Sequence, residues 1–281
     1  MPITLREQTE IDAANSSERQ PVVFVHGLWL LSSSWDPWRA HFDEAGYTTL
    51  APGWPEDPES VEEARTNPRP MAGKSVGAIT DHYAEVIGKL TRKPAIVGHS
   101  FGGLITQKLA GQGLAAVSVP IDPAPYRGVL PLPVAALKSS LPALKNPANR
   151  KSTVMLSYDQ FRYGFANVVS EDEAKQLYDT FSVPGPGLPI FQSAFANFNP
   201  GSETKVDTKN DQRGPMKLVG ADQDHTVPWS IVNYEYKLQK RNSNLTALEH
   251  MTGRGHSLVF DSGWRDVADV ALRFVSEHAP A

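Results

Sequence analysis

The sequence predicts an α/β fold: a mostly parallel central sheet flanked by helices, with a helical segment inserted in it. Three observations predict this. Short apolar, β-branched runs alternate with helical patterns over residues 20–121 and again over residues 216–277, the rhythm of βαβ units. Between them, residues 126–205 are rich in proline and aromatics and show no strand pattern. One strand-to-helix junction carries Gly98-His99-Ser100-Phe101-Gly102-Gly103.

Residues 1–20 are polar and offer at most one short strand, Ile3–Leu5. Val22-Val23-Phe24-Val25 reads as a buried parallel strand that ends at His26-Gly27. Trp35–Ala45 has apolar residues at helical spacing and stops at Gly46. Tyr47–Ala51 reads as the next strand, and Pro52–Pro70, rich in Pro, Glu and Asp, as a surface loop. Then follow a helix over Ser75–Leu90, a strand over Ala95–Val97, a helix over Phe101–Ala110 and a strand over Val117–Ile121. The rhythm breaks at Pro123. Helical pieces are expected at Val134–Leu144, Tyr158–Val168, Glu171–Thr180 and Phe191–Asn197. Alternation resumes with a strand at Met216–Val219, a helix at Trp229–Lys240, a strand at Asn244–His250 and a helix at Ser262–Glu277. The expected organisation is a core of residues 1–125 and 206–281 with a helical cap over 126–205.

A length of 281 residues suits one such domain with its insertion. The net charge is −4 and no basic patch stands out, so no nucleic-acid partner is expected. The absence of cysteine rules out disulfides, thiolate metal sites and a thiol nucleophile. No apolar run approaches the roughly 18 residues that span a membrane, and no basic stretch followed by an apolar run opens the chain. These features lead to the expectation of a cytoplasmic monomer or homodimer with a small-molecule substrate and no membrane partner. No His or carboxylate cluster has metal-ligand spacing and no glycine-rich loop has a phosphate-binding pattern, so neither metal nor cofactor is expected.

The Gly98–Gly103 motif carries the chemistry. A nucleophilic serine at the tip of a tight strand-to-helix turn needs flanking glycines, because side chains there would strike the neighbouring strand and helix. The helix then aims its free amides at the developing negative charge. A glycine turn with a bystander serine is the plainer alternative. The preceding strand and the following helix favour the nucleophile, Ser100.

With His26-Gly27, Gly98–Gly103, Asp224-His225-Thr226-Val227-Pro228 and Gly253-Arg254-Gly255-His256, the chain resembles an α/β-hydrolase of the serine esterase type. It is similar to a bacterial subgroup of that family, a placement that implies no particular substrate. In that fold the catalytic order along the chain is Ser, acid, His. Eight histidines compete for the base. His256 lies in a loop after the last strand; His250, the runner-up, falls inside the strand pattern. For the acid, Asp224 follows a strand in a loop before Val227-Pro228, with Asp222 and Asp122 as competitors.

The resemblance implies an oxyanion hole from the backbone amides of Leu28 and Phe101, with Trp29 as the alternative to Leu28. The His-Gly-Gly-Gly form of some lipases is missing, which argues against bulky tertiary-alcohol esters. Trp29, Phe191 and Phe195 are candidate substrate contacts, while Trp35 and Trp38 read more simply as core. The expected activity is hydrolysis of a small, mostly apolar carboxylic ester or lactone through an acyl-enzyme on Ser100. The same residues could serve C–C bond hydrolysis, perhydrolysis or a lyase reaction; a ligand receptor with little turnover is the alternative of a different class.

Overall fold

The computed structural model describes residues 2–280. The chain opens with a helix, not with the expected strand at Ile3–Leu5. Helix α1 (Leu5–Ser16) starts at a reciprocal cap. The Thr4 hydroxyl accepts from the Glu7 amide at 3.2 Å, and the Glu7 carboxylate accepts from the Thr4 amide at 2.8 Å. Strand β1 (Pro21–Val25) follows, buried along its whole length as a central parallel strand should be. A 3-10 turn at Ser32–Trp35 leads into α2 (Asp36–Glu44), which stops before Gly46 at φ +93°. After β2 (Thr48–Leu50), the expected loop contains a short helix, α3 (Val61–Thr66), capped by the Ser60 hydroxyl on the Glu63 amide.

Helix α4 (Val76–Gly88), strand β3 (Ala95–His99), helix α5 (Phe101–Gly111) and strand β4 (Val117–Ile121) keep the expected alternation. The next part of the chain adds nothing to the main sheet. It holds α6 (Val134–Leu144), β5 (Thr153–Val154), α7 (Tyr158–Gly164), α8 (Glu171–Phe181), β6 (Gly185–Pro186) and α9 (Leu188–Ala194). Strands β5 and β6 form a small antiparallel ribbon that the sequence pattern does not reveal. Helix α9 begins at Leu188, earlier than the expected Phe191, with Pro189 in its first turn. The chain closes with β7 (Met216–Ala221), α10 (Trp229–Gln239), β8 (Thr246–Met251) and α11 (Trp264–His278).

The six main strands lie in the order β2-β1-β3-β4-β7-β8, each parallel to its neighbours. Val25 pairs with Gly98, and His99 with Ile121. This register brings the residues after β1, β3 and β4 to one carboxyl edge, where open α/β sheets place their sites. Trp35 and Trp38 belong to the core: Phe24 stacks on Trp35 at 5.1 Å, and the Trp38 indole donates to the Val259 carbonyl at 2.7 Å. No described helix is long and apolar enough to cross a membrane.

Candidate active site

Ser100 sits between β3 and α5 with φ +56° and ψ −120°. An L-residue is strained there by about 1–3 kcal/mol, a strain that persists only where the surroundings impose it. Here they do. The Ser100 amide donates to the Ile121 carbonyl at 3.0 Å, and the Ser100 carbonyl accepts from Ala124 at 2.9 Å. The glycines are required by contact as well. A Cβ on Gly102 would lie 2.0 Å from the Val25 carbonyl oxygen, and one on Gly98 would lie 2.3 Å from that of Gly102.

The loop after β1 packs directly on Ser100, since a Cβ on Gly27 would stand 3.0 Å from the Ser100 Cβ. His26 fixes that loop. Its Nε2 lies 3.0 Å from the Asp57 carboxylate, and its ring stacks on Trp54 at 5.1 Å. The Leu28 and Phe101 amides make no hydrogen bond among the described residues. Trp29 has φ +67° and ties the loop to the ribbon: its indole donates to the Val154 carbonyl at 2.9 Å, and its carbonyl accepts from Val183 at 3.0 Å.

His256 and Asp224 are both buried. His256 Nδ1 meets Asp224 Oδ2 at 2.5 Å, and Asp224 Oδ1 accepts from the Thr226 and Val227 amides at 2.6 and 2.8 Å. The His256 ring is held between Phe165 at 4.7 Å and His99, the residue before Ser100, at 4.5 Å. Its Nε2 makes no hydrogen bond among the described residues. His99 is fully buried; burial, reinforced by His256 beside it, pushes its pKa well down, so the ring stays neutral.

The competing candidates sit elsewhere or differently. His250 stacks on Trp229 at 4.1 Å on the outer strand. Asp222 accepts from the Gly253 amide at 2.7 Å in a turn. Asp122 is closer: it is buried, has φ +38°, and accepts from the Ala221 amide at 2.8 Å through Oδ1. Donor atoms of His99, Asp122 and His256 lie within 4.8 Å of one another, a spacing that could serve a metal ion. His256 is shared between that trio and the Asp224 contact. The Asp122 Oδ2 has no hydrogen-bond partner. Burial, and then the charge of Asp224, push the Asp122 carboxyl well above the usual range.

Ser100 opens into a cavity of about 360 Å³ lined by Trp29, Phe101, Tyr126, Val129, Leu144, Ile190 and Val227 among others. Its polar lining residues include Ser, Thr and Asn, and none of its lining residues is charged. Phe191 and Phe195 are not among the residues that line it. They face a second cavity with Arg150 and Glu203. The reason is helical geometry: Ile190, Ser193, Ala194 and Asn197 form one face of α9 and its extension, so Phe191 and Phe195 fall on the other. The rim residues Leu130, Leu132 and Leu137 were not singled out from the sequence; the Leu130-Pro131-Leu132-Pro133 run, unusually apolar for a connection, was the available signal.

Fold and site together define an α/β-hydrolase fold hydrolase. The model of the Alpha/beta hydrolase family matches residues 22–270, and the chain belongs to that family. No curated protein matches the sequence. Among solved structures, the chain is similar to a monoacylglycerol lipase of Paleococcus ferrophilus, with 18% identity, a TM-score of 0.63 and coverage of 92% of this chain and 95% of that one. It is also similar to an extracellular α/β-hydrolase of a Paenibacillus species, with 18% identity, a TM-score of 0.62 and coverage of 91% and 98%. A Mycobacterium tuberculosis protein matches with 17% identity, a TM-score of 0.68 and coverage of 94% and 93%. At these identities the likeness is one of fold.

Proposed function

We propose that the protein is a serine hydrolase that cleaves an uncharged, mostly apolar carboxylic ester or lactone through an acyl-enzyme on Ser100. The observation that carries the proposal is a strained, buried Ser100 lining an uncharged cavity, with the buried His256–Asp224 pair packed against His99, the residue before it. In this mechanism His256 Nε2 takes the Ser100 proton as Oγ attacks the carbonyl carbon. Asp224 fixes the ring orientation and stabilises the imidazolium that forms. The amides of Leu28 and Phe101 receive the oxyanion, each donor contributing about 3 kcal/mol to the transition state. His256 returns the proton to the leaving alcohol, and water repeats the sequence to release the acid. The helical insertion, residues 126–205, acts as the cap that closes over the acyl group.

Labelling by a fluorophosphonate probe together with turnover of p-nitrophenyl esters tests this. Ser100→Ala is expected to lose both, and His256→Ala to lose roughly 10²–10⁴-fold in turnover with the fold intact. Retained ester turnover in Ser100→Ala would refute the assignment. Turnover of β-diketones in place of esters would keep Ser100 and change the reaction.

A further inference from the structure

We infer that the rim of the Ser100 cavity docks on an anionic lipid surface, so that substrate enters from the interface. Four large hydrophobic residues line the cavity and are also exposed: Leu130 at 67%, Leu132 at 69%, Leu137 at 41% and Phe198 at 85%. Val134, at 81%, and Leu141, at 54%, extend the patch along α6. Positions 134, 137 and 141 share one helical stripe, so the apolar face is continuous from helix to cavity mouth. A patch of this kind on a soluble protein marks an interaction surface. The loop Leu130-Pro131-Leu132-Pro133 suits immersion, because its two prolines have no amide hydrogen to leave unpaired in an apolar medium.

The charge around this face selects the occupant. Residues 123–158 hold Arg127, Lys138, Lys145, Arg150 and Lys151 and not one Asp or Glu, in a chain whose net charge is −4. The elements packed nearby bring few free carboxylates. On α7 there is Asp159. At the start of α8 stand Glu171, held by Arg162 and Tyr158, Glu173, which accepts from the Ser262 amide at 2.7 Å, and Asp172. Glu203 accepts from the Gly77 amide at 2.7 Å and from Gln192 at 2.8 Å. An apolar face in a segment whose only charges are cations fits anionic headgroups above an acyl layer. A second copy fits poorly, since a two-fold contact would set cations against cations. The expectation of no membrane partner rests on the lack of spanning segments, and docking on a surface needs none. The entry of substrate rests on the hydrolase proposal; the docking itself does not.

Flotation of the full chain with phosphatidylglycerol–phosphatidylcholine vesicles tests the inference. Wild type is expected to partition onto these vesicles about tenfold more strongly than onto pure phosphatidylcholine, and to lose that advantage in high salt. Val134→Gln/Leu141→Gln is expected to lower partitioning about tenfold, while its melting temperature and its fluorophosphonate labelling show that it folds. Should that variant fail to fold, Lys145→Gln/Lys151→Gln, both exposed, is expected to lower binding to the anionic vesicles alone. Absence of wild-type partitioning, or partitioning indifferent to these substitutions, would overturn the inference. So would a dimer in sedimentation velocity that Val134→Gln/Leu141→Gln dissolves without changing flotation, because a second copy would then be the occupant. Vesicle binding without labelling of Ser100 would sink the hydrolase proposal and leave the docking surface standing.

Discussion

Two buried carboxyl groups compete for one histidine, and their hydrogen bonds separate them. Asp224 receives His256 Nδ1 and two amides. Asp122 receives one amide and has an unpartnered oxygen. Burial first, and the charge of Asp224 second, push the Asp122 carboxyl up and favour its protonated form. Asp224→Asn is therefore expected to lower kcat/KM by roughly 10²–10⁴-fold, because the imidazolium loses its counter-charge. Asp122→Asn, a near-isosteric neutral replacement for a protonated acid, should leave kcat/KM close to wild type. Equal losses in steady-state ester assays would show that Asp122 supplies the charge instead. Stability gives a second readout. A carboxyl whose pKa is raised on folding is protonated in both states at low pH, so its contribution is fully present below the unfolded value near 3.8. As pH rises, the unfolded chain releases the proton first, and this contribution falls until the folded pKa is passed. The melting temperature of Asp122→Asn relative to wild type should thus increase with pH.

At the scale of elements, the N-terminal helix raises a related question with the opposite sign. Glu7 in α1 meets His82 in α4 at 2.8 Å, and both are buried. Burial alone would raise the Glu7 pKa, but the hydrogen bonds from His82 and Thr4 outweigh it and leave the carboxyl below 4.5. A depressed carboxyl stabilises above its unfolded pKa and loses that contribution as pH falls through the folded value. Glu7→Gln should cost about 1–3 kcal/mol near neutral pH. Its deficit should shrink below pH 4.5, as urea denaturation at two pH values would reveal. The same helix shows where the sequence was hard to read. Its start signal was present, as Thr4-x-x-Glu7, but its polar composition hid it; α3, which begins at Ser60-x-x-Glu63, was hidden in the same way. The β5–β6 ribbon is too short for period-two alternation to show. The turn at Ser100 was legible because its glycines answer to backbone contacts only a few ångströms away. Phe191 and Phe195 lie on the opposite face of α9 and its extension from Ile190 and Ala194, a placement that depends on where the helix begins.

For the whole molecule, the sheet edge and the helical insertion divide the work. The edge supplies Ser100, Asp224 and His256; the insertion supplies most of the cavity wall. Trp29 joins the two through Val154 and Val183, so the loop after β1 and the insertion are held to each other. If the cavity holds the acyl chain, bulk added to its wall should select against long chains before short ones. Ala136 suits this test: it lies on α6, half-buried, and lines the cavity. In Ala136→Trp, the ratio of kcat/KM for p-nitrophenyl decanoate to that for the butyrate should fall by roughly tenfold or more, a small part of what several lost methylene contacts are worth. An unchanged melting temperature would show that the ring projects into the cavity and does not disturb the packing. An unchanged ratio would mean that the chain leaves Ser100 by another route, and the wall between α6 and α9 would then bind the alcohol side of the ester.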